Sequence, residues 1–317
     1  MLTGIARFAA QAPRLAAKRQ VEYFALPARS VLNRVRAGLP FDWAINPYRG
    51  CEFGCKYCYA RYTHEFLELD PVRGFEDRIF AKRGAAEVLR RELRRLPPGE
   101  TIAIGTATDP YQPAERRYGA TRALLEVFSS VRGYRLAITT KSDLIVRDAA
   151  LLREVARANI LHVRMTVTTM DDALARAMEP RAPRPDLRIA AVRELARAGI
   201  RVGVYASPVL PVLNDAEASL DAVARAAADA GAEAFGGHVV FLMPAALRVF
   251  RPFLAEHRPE LVQRYEKRFQ ANAYLRGTYP EAIQRRVRRI RARYGLTGSP
   301  VEYAPDLSPP EQLVLFP

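Results

Sequence analysis

Residues 41–243 read as an α/β fold around a parallel sheet, and three observations carry that reading. Short apolar runs alternate with helical stretches. The runs are close to continuously apolar, as strands covered on both faces are. No Gly-rich dinucleotide fingerprint follows an early strand, which counts against a Rossmann domain.

The first strand is expected near Ala44–Tyr48. Thr101–Thr106, Arg135–Thr140, His162–Thr168, Arg201–Ala206 and His238–Leu242 follow as short runs bounded by turn residues. Ala85–Leu96, Ala120–Val131, Leu144–Ala158, Leu187–Ala198 and Ala216–Ala230 carry apolar residues at three- and four-residue spacing, the mark of amphipathic helices. Gly199 and Gly231 stand where helices should end, Asp143 and Asn214–Asp215 where they should begin. About six β/α units result, too few for an eight-fold barrel. A partial barrel and an open doubly wound sheet both fit.

The chain has 317 residues and a net charge of +15. With 49% hydrophobic residues it is not a disordered polypeptide, and three cysteines cannot build a disulfide scaffold. No uncharged apolar stretch is long enough to span a membrane, and Met1–Arg19 lacks the apolar core of a secretory signal, so a cytoplasmic location is expected. The charge divides the chain into a basic leader (1–40, net +6), a near-neutral core (41–243), a helical extension (244–294) and a Pro-rich tail (295–317). Within the extension, residues 248–294 carry net +9. Such clusters suit a phosphate backbone. The competing explanation is compositional: only five of the 49 basic residues are lysine, as a GC-rich genome would give.

All three cysteines fall in one string, Cys51-Glu52-Phe53-Gly54-Cys55-Lys56-Tyr57-Cys58, just after the first expected strand. Soft thiolates at C-x3-C-x2-C spacing suit an iron–sulfur cluster or zinc. A structural zinc needs a fourth ligand, and His64 is the histidine nearby. A [4Fe–4S] cluster on three cysteines leaves one iron open to a non-protein ligand.

This motif, with Tyr57 before the last cysteine, resembles the radical S-adenosylmethionine superfamily. Asn46-Pro47-Tyr48-Arg49-Gly50-Cys51 and Cys58-Tyr59-Ala60-Arg61 are similar to its spore photoproduct lyase-like branch. So are Gly105-Thr106-Ala107-Thr108-Asp109-Pro110-Tyr111-Gln112-Pro113, Thr140-Lys141-Ser142, Glu179-Pro180 and Ser207-Pro208. The similarity spans Leu39 to Pro211; many relatives have histidine where Phe53 stands.

The resemblance implies a partial (β/α)6 TIM-like barrel with a helical C-terminal extension. It implies a [4Fe–4S] cluster on Cys51, Cys55 and Cys58, S-adenosylmethionine on its open iron, and a reductant such as flavodoxin or ferredoxin. Reductive cleavage of S-adenosylmethionine would yield a 5′-deoxyadenosyl radical that takes a hydrogen from substrate. Matching positions give Thr108 and Asp109 for the methionyl ammonium, Lys141 for the carboxylate, Thr166 for ribose and Tyr57 for adenine, with Ser207 a further candidate and Glu179–Arg188 either an ion pair shaping the site or an ordinary surface pair. Spore photoproduct lyase also uses a further cysteine as hydrogen donor. Here none is spare, so either a tyrosine such as Tyr111 serves or the reaction differs, which argues against carrying over spore photoproduct repair as the activity.

The tail residues Gln312, Leu313, Leu315 and Phe316 resemble the Q-L-S/D-L-F peptide that binds the bacterial sliding clamp, with Val314 a departure in the third place. With the basic segments this favours a lyase-like radical enzyme acting on nucleic acid, such as a DNA lesion. The alternatives are a radical enzyme for a peptide or small molecule, and a zinc-stabilised nucleic-acid-binding protein without catalysis.

Overall fold

The computed structural model describes residues 4–18, 20–35, 39–270 and 272–298. The proposed clamp-binding residues Gln312, Leu313, Leu315 and Phe316 lie outside them. Two sheets organise the chain. The larger has seven strands in the order β11-β10-β9-β8-β7-β4-β3. These are β3 (Asn33–Arg34), β4 (Trp43–Ile45), β7 (Thr101–Ile104), β8 (Arg135–Thr140), β9 (Ile160–Thr166), β10 (Val202–Tyr205) and β11 (Ala234–Gly236). All but the antiparallel edge strand β3 run parallel. The smaller sheet, β1-β2-β6-β5, joins β1 (Arg14–Lys18) and β2 (Val21–Pro27) from the basic leader to β6 (Arg78–Arg83) and β5 (Tyr48–Arg49).

Sequential order decides between the two architectures that six β/α units allow. A doubly wound sheet reverses its strand order at a switch point. Here β4 through β11 succeed one another without reversal, so right-handed crossovers put every helix on the same side. The result is a partial (β/α)6 barrel. Helices α3 (Ala85–Leu93), α5 (Ala120–Ser129), α6 (Ala149–Ala158), α8 (Pro185–Arg197) and α9 (Glu217–Asp229) cover its outer face. Ile102, Ile104, Leu136, Ile138, Val163, Val202 and Val204 point into that core, fully buried or nearly so. Because side chains alternate along a strand, Ala103, Ala137, His162, Arg164, Gly203 and Tyr205 face the barrel's interior.

Two strands differ from expectation. The apolar run 44–48 divides into β4 and β5 because Pro47 has no N–H to continue the ladder. The sixth barrel strand is Ala234–Gly236, upstream of the expected His238–Leu242. Gly236 belongs there because a Cβ would lie 2.7 Å from the Tyr205 ring. Residues 238–242 make only isolated bridges, Val209 with Val239 and Phe241 with Tyr274.

The remaining helices are α1 (Gly4–Gln11), α2 (Gly74–Asp77), α4 (Glu115–Tyr118), α7 (Asp172–Met178), α10 (Pro244–His257), α11 (Val262–Phe269) and α12 (Thr278–Arg293). The C-terminal region is thus helical. Phe250, Phe253 and Leu254 of α10 and Tyr265 and Phe269 of α11 close a second core around Cys51, Phe53, Cys55 and Tyr57. Among the described residues no helix is long and apolar enough to cross a membrane.

Candidate functional site

The cysteine loop begins where β5 leaves the small sheet. Gly50 has φ of +81°, and a Cβ there would meet the carbonyls of Phe75 and Arg78 at 2.9 Å. The loop therefore passes closer to its neighbours than a side chain allows. Cys51 N–H donates to the Phe75 carbonyl (2.9 Å), and Lys56 N–H to the Met178 carbonyl (2.9 Å). Arg61, wholly buried, donates from Nη1 to Val72 O (2.6 Å) and from Nη2 to Cys55 O (3.1 Å), and pairs with Glu76.

A second loop, after β7, locks onto the first. Thr108 Oγ1 donates to Gly50 O at 2.6 Å, and Gln112 Nε2 donates to the same oxygen at 3.0 Å. Gln112 Oε1 accepts the Glu52 N–H at 3.0 Å. The two Asp109 carboxylate oxygens accept from Thr140 Oγ1 (2.6 Å), Tyr111 N–H (2.9 Å) and Lys141 N–H (2.8 Å). Burial raises the Asp109 pKa against these three donors. Thr108 and Asp109 thus tie the ends of β7 and β8 to the cysteine loop.

Tyr57 connects this loop to the far side of the barrel. Its hydroxyl donates to Glu179 Oε1, which also accepts from Thr168 Oγ1 (3.1 Å). Glu179 Oε2 pairs with Arg188 Nη2 at 2.5 Å, and Arg188 Nη1 donates to the Thr166 carbonyl at 3.1 Å. Both members of the pair are buried, so this is no surface pair. Burial opposes ionisation of Glu179, but Arg188, Lys141 and Tyr57 outweigh it and lower its pKa. The Lys141 ammonium lies 5.7 Å from the centroid of the Tyr57 ring. Burial would lower its pKa, but Cys55 and Glu179 outweigh that and raise it.

Other sequence candidates fall as follows. Thr166 ends β9 on the inner face, buried. Ser207, half-buried after β10, accepts the His238 N–H at 3.2 Å. Tyr111 is fully buried in the main core among side chains of the outer face, which gives it no access to a substrate. His64 is fully buried between Phe75 and Phe80, and its Nε2–H donates to the Arg78 carbonyl at 3.1 Å. Its Nε2 is spent and its Nδ1 is buried without a hydrogen-bond partner, and among the described residues His64 is not grouped with the cysteines as a metal ligand.

Gln112 and Arg61 carry loop-holding roles that sequence reasoning did not assign. The signal was that both lie inside the matched strings. Among the described residues no three His, Cys, Asp or Glu side chains are grouped to hold one metal ion. A polynuclear cluster asks for a different spacing, since each thiolate takes its own iron. Burial raises the pKa of all three cysteines, Cys55 to about 12, so ligation must displace their protons. Lys141 beside Cys55 offsets part of the charge that results.

A family model described as "Radical SAM superfamily" matches residues 45–224. An uncharacterised protein of Mycobacterium tuberculosis is 37% identical over 273 residues, covering 85% of this chain and 80% of its own. An uncharacterised protein of Methanocaldococcus jannaschii is 28% identical over 203 residues, covering 62% of this chain and 71% of its own. Among solved structures, spore photoproduct lyase complexed with dinucleoside spore photoproduct superposes with a TM-score of 0.65 at 16% identity, over 86% of this chain and 79% of that one. This last likeness is one of fold.

Proposed function

The chain belongs to the radical SAM superfamily and is an enzyme of that class, which works with a [4Fe–4S] cluster, S-adenosylmethionine and a reductant, and on that premise we propose that it acts on nucleic acid in the cytoplasm. Cys51, Cys55 and Cys58 hold the cluster. When bound, the cluster and S-adenosylmethionine supply a 5′-deoxyadenosyl radical that takes a hydrogen from substrate. The protein's part is to orient, to exclude water and to balance charge.

Each loop contact has a place in that task. Thr108 and Gln112 fix the Gly50 carbonyl and so the direction in which Cys51 leaves the sheet. Asp109 sets the Lys141 backbone, and its Oδ2, with one donor in place, keeps capacity for the methionyl ammonium. Lys141 pairs with the methionyl carboxylate, Thr166 with ribose, and Ser207 lines the same level. Tyr57 presents its ring toward adenine while its hydroxyl is held by Glu179. Tyr111, sealed in the core, has no part in returning hydrogen to the product.

The observation that carries the class of reaction is the cysteine loop held from two sides, by Gln112 and by Tyr57 through Glu179. The preference for nucleic acid rests on the basic leader and residues 248–294, and on the fold shared with spore photoproduct lyase. Part of that charge is used internally: Arg289 pairs with Glu217 at 2.6 Å and Arg293 with Asp221 at 2.5 Å. The reading is tested by measuring 5′-deoxyadenosine formation by the anaerobically reduced, cluster-loaded protein with and without irradiated and untreated DNA. Stimulation by either DNA supports it. Turnover that ignores DNA at low and high salt overturns the substrate assignment and leaves the class.

A further inference from the structure

One long cation stands on the inner face of the barrel where its cross-strand neighbours are small. Along β9, Leu161, Val163 and Met165 join the core beneath the helices, so His162, Arg164 and Thr166 face inward. Register places Arg164 beside Thr139 on β8 and Gly203 on β10, and Gly203 beside Ala234 on β11. Ala137 stands beside His162. The residues paired with Arg164 on either side are therefore small.

Tyr205 forms the remaining wall. A Cβ at Gly203 would lie 3.2 Å from its Cε2 and one at Gly236 2.7 Å from its Cε1, so the two glycines cradle the ring. The Arg164 guanidinium lies 5.4 Å from that ring's centroid. The neighbouring Arg201 has a carboxylate, donating to Glu233 at 2.8 Å, and the buried Arg188 of α8 pairs with Glu179. No hydrogen bond or ion pair joins the Arg164 side chain to any described residue. A half-buried guanidinium so placed keeps all five of its donors for something else. The groups around it can each donate one hydrogen bond as well. Burial lowers the pKa of His238, with Arg164 adding to the shift, and that of His162, with Arg201 and Arg164 adding, so each is a neutral ring near pH 7. Glu233, the acid that reaches His162, is already engaged by Arg201.

A guanidinium with no carboxylate partner, beside neutral imidazoles that can each donate from one nitrogen, suits an anion with more than two oxygens. Arg164 also lies two residues before Thr166 on the strand, roughly 7 Å deeper than the level assigned to ribose. A ligand anchored there sits beneath the cofactor, not on it. We propose that Arg164, with Thr139, His162 and His238 around it, binds the phosphate of a nucleotide substrate. This rests on the reading that the enzyme acts on nucleic acid. A phosphodiester within a strand and the phosphate of a free nucleotide present the same chemistry.

The test uses the cluster-loaded full chain with S-adenosylmethionine, without oxygen. Equilibrium dialysis measures the affinity for the dinucleotide TpT, for its uncharged methylphosphonate analogue and for thymidine 5′-monophosphate. The wild type should prefer TpT over the analogue by about tenfold or more, the value of a charge-assisted hydrogen bond. Arg164→Met should lose that preference, and Arg164→Lys should keep part of it, which a merely misfolded variant would not. A monophosphate affinity equal to that for TpT identifies a free nucleotide as the source; a weaker one identifies a strand. A wild type indifferent to the phosphate charge, an Arg164→Met variant that keeps the preference, or displacement of TpT by a glutamate-rich peptide at lower concentration would each overturn the proposal. So would an equal fall in S-adenosylmethionine affinity in Arg164→Met, which would assign the residue to the cofactor. If the phosphate preference is absent while DNA still stimulates 5′-deoxyadenosine formation, only the Arg164 assignment falls. If TpT does not bind and DNA does not stimulate, the nucleic-acid reading falls with it.

Discussion

Glu179 and Arg188 form a fully buried ion pair, 2.5 Å apart, between the cysteine loop and β9. Tyr57 donates to one end of this pair and the Thr166 carbonyl accepts at the other. Taking two charges out of water is costly, so a pair of this kind stabilises little by itself. Removing one partner is another matter, because the survivor stays buried and uncompensated. Glu179→Ala should lower stability by about 3–5 kcal/mol. The double change Glu179→Leu with Arg188→Met should recover most of that loss. Urea unfolding midpoints of the three proteins check both statements. A Glu179→Ala midpoint equal to that of the wild type would show that the fold does not depend on the pair.

The Lys141 ammonium lies over the Tyr57 ring, and Cys55 and Glu179 keep it protonated despite burial. Pairing with a carboxylate in a partly desolvated site is a charge-assisted contact. Lys141→Ala should therefore weaken S-adenosylmethionine binding by about tenfold or more while iron content stays near that of the wild type. Equilibrium dialysis and iron analysis on the same preparation separate the two. Loss of iron with unchanged cofactor affinity in the remaining loaded fraction would move Lys141 to a purely structural role.

Much of the barrel was legible because its apolar periodicity is local. Leu136 and Ile138, or Val202 and Val204, need no partner to announce a strand with a covered face. The small sheet was not legible. Val21–Pro27 pairs in parallel with Arg78–Arg83, a contact between distant segments that no short window contains. β11 escaped for a related reason: Ala-Phe-Gly has little β-propensity, and Gly236 is there for the ring of Tyr205 on the neighbouring strand. In the site, the cysteines and Lys141 could be named from matched strings, and Thr166 from its place on an expected strand. That Glu179 and Arg188 are buried, that Tyr111 is sealed in the core, and that Arg164 lacks a carboxylate depends on packing between segments far apart in sequence.

Gly50 offers a test of the loop's backbone. Its φ of +81° and the two carbonyls that would stand 2.9 Å from a Cβ both exclude a side chain. Gly84 has a similar φ of +71° but nothing within 4 Å, so Gly84→Ala carries the backbone strain without the clash. Gly84→Ala should cost roughly 1–2 kcal/mol and leave iron loading intact. Gly50→Ala adds overpacking of about 1–3 kcal/mol and displaces the residue next to Cys51. Iron per chain and absorbance near ~400 nm after anaerobic reconstitution should fall for Gly50→Ala alone. Equal loading of the two variants would mean that the cysteine loop tolerates a shift at its root.

His64 makes the fold sensitive to acid. Burial lowers its pKa to about 4 against an ordinary value near 6.5, with the Arg78 carbonyl opposing and Arg49, Arg78 and Arg61 adding to the shift. Below the ordinary value the unfolded chain takes up a proton that the folded chain refuses, so stability rises with pH across this window. The contribution is whole above about pH 6.5 and drains away as the pH falls toward 4, to a total of about 3 kcal/mol. His64→Gln removes the titration and keeps a donor for the Arg78 carbonyl. Urea midpoints at pH 5 and pH 7.5 should therefore differ less for His64→Gln than for the wild type, with the two proteins converging at the acid end. An equal pH dependence in both would place the acid sensitivity elsewhere in the fold.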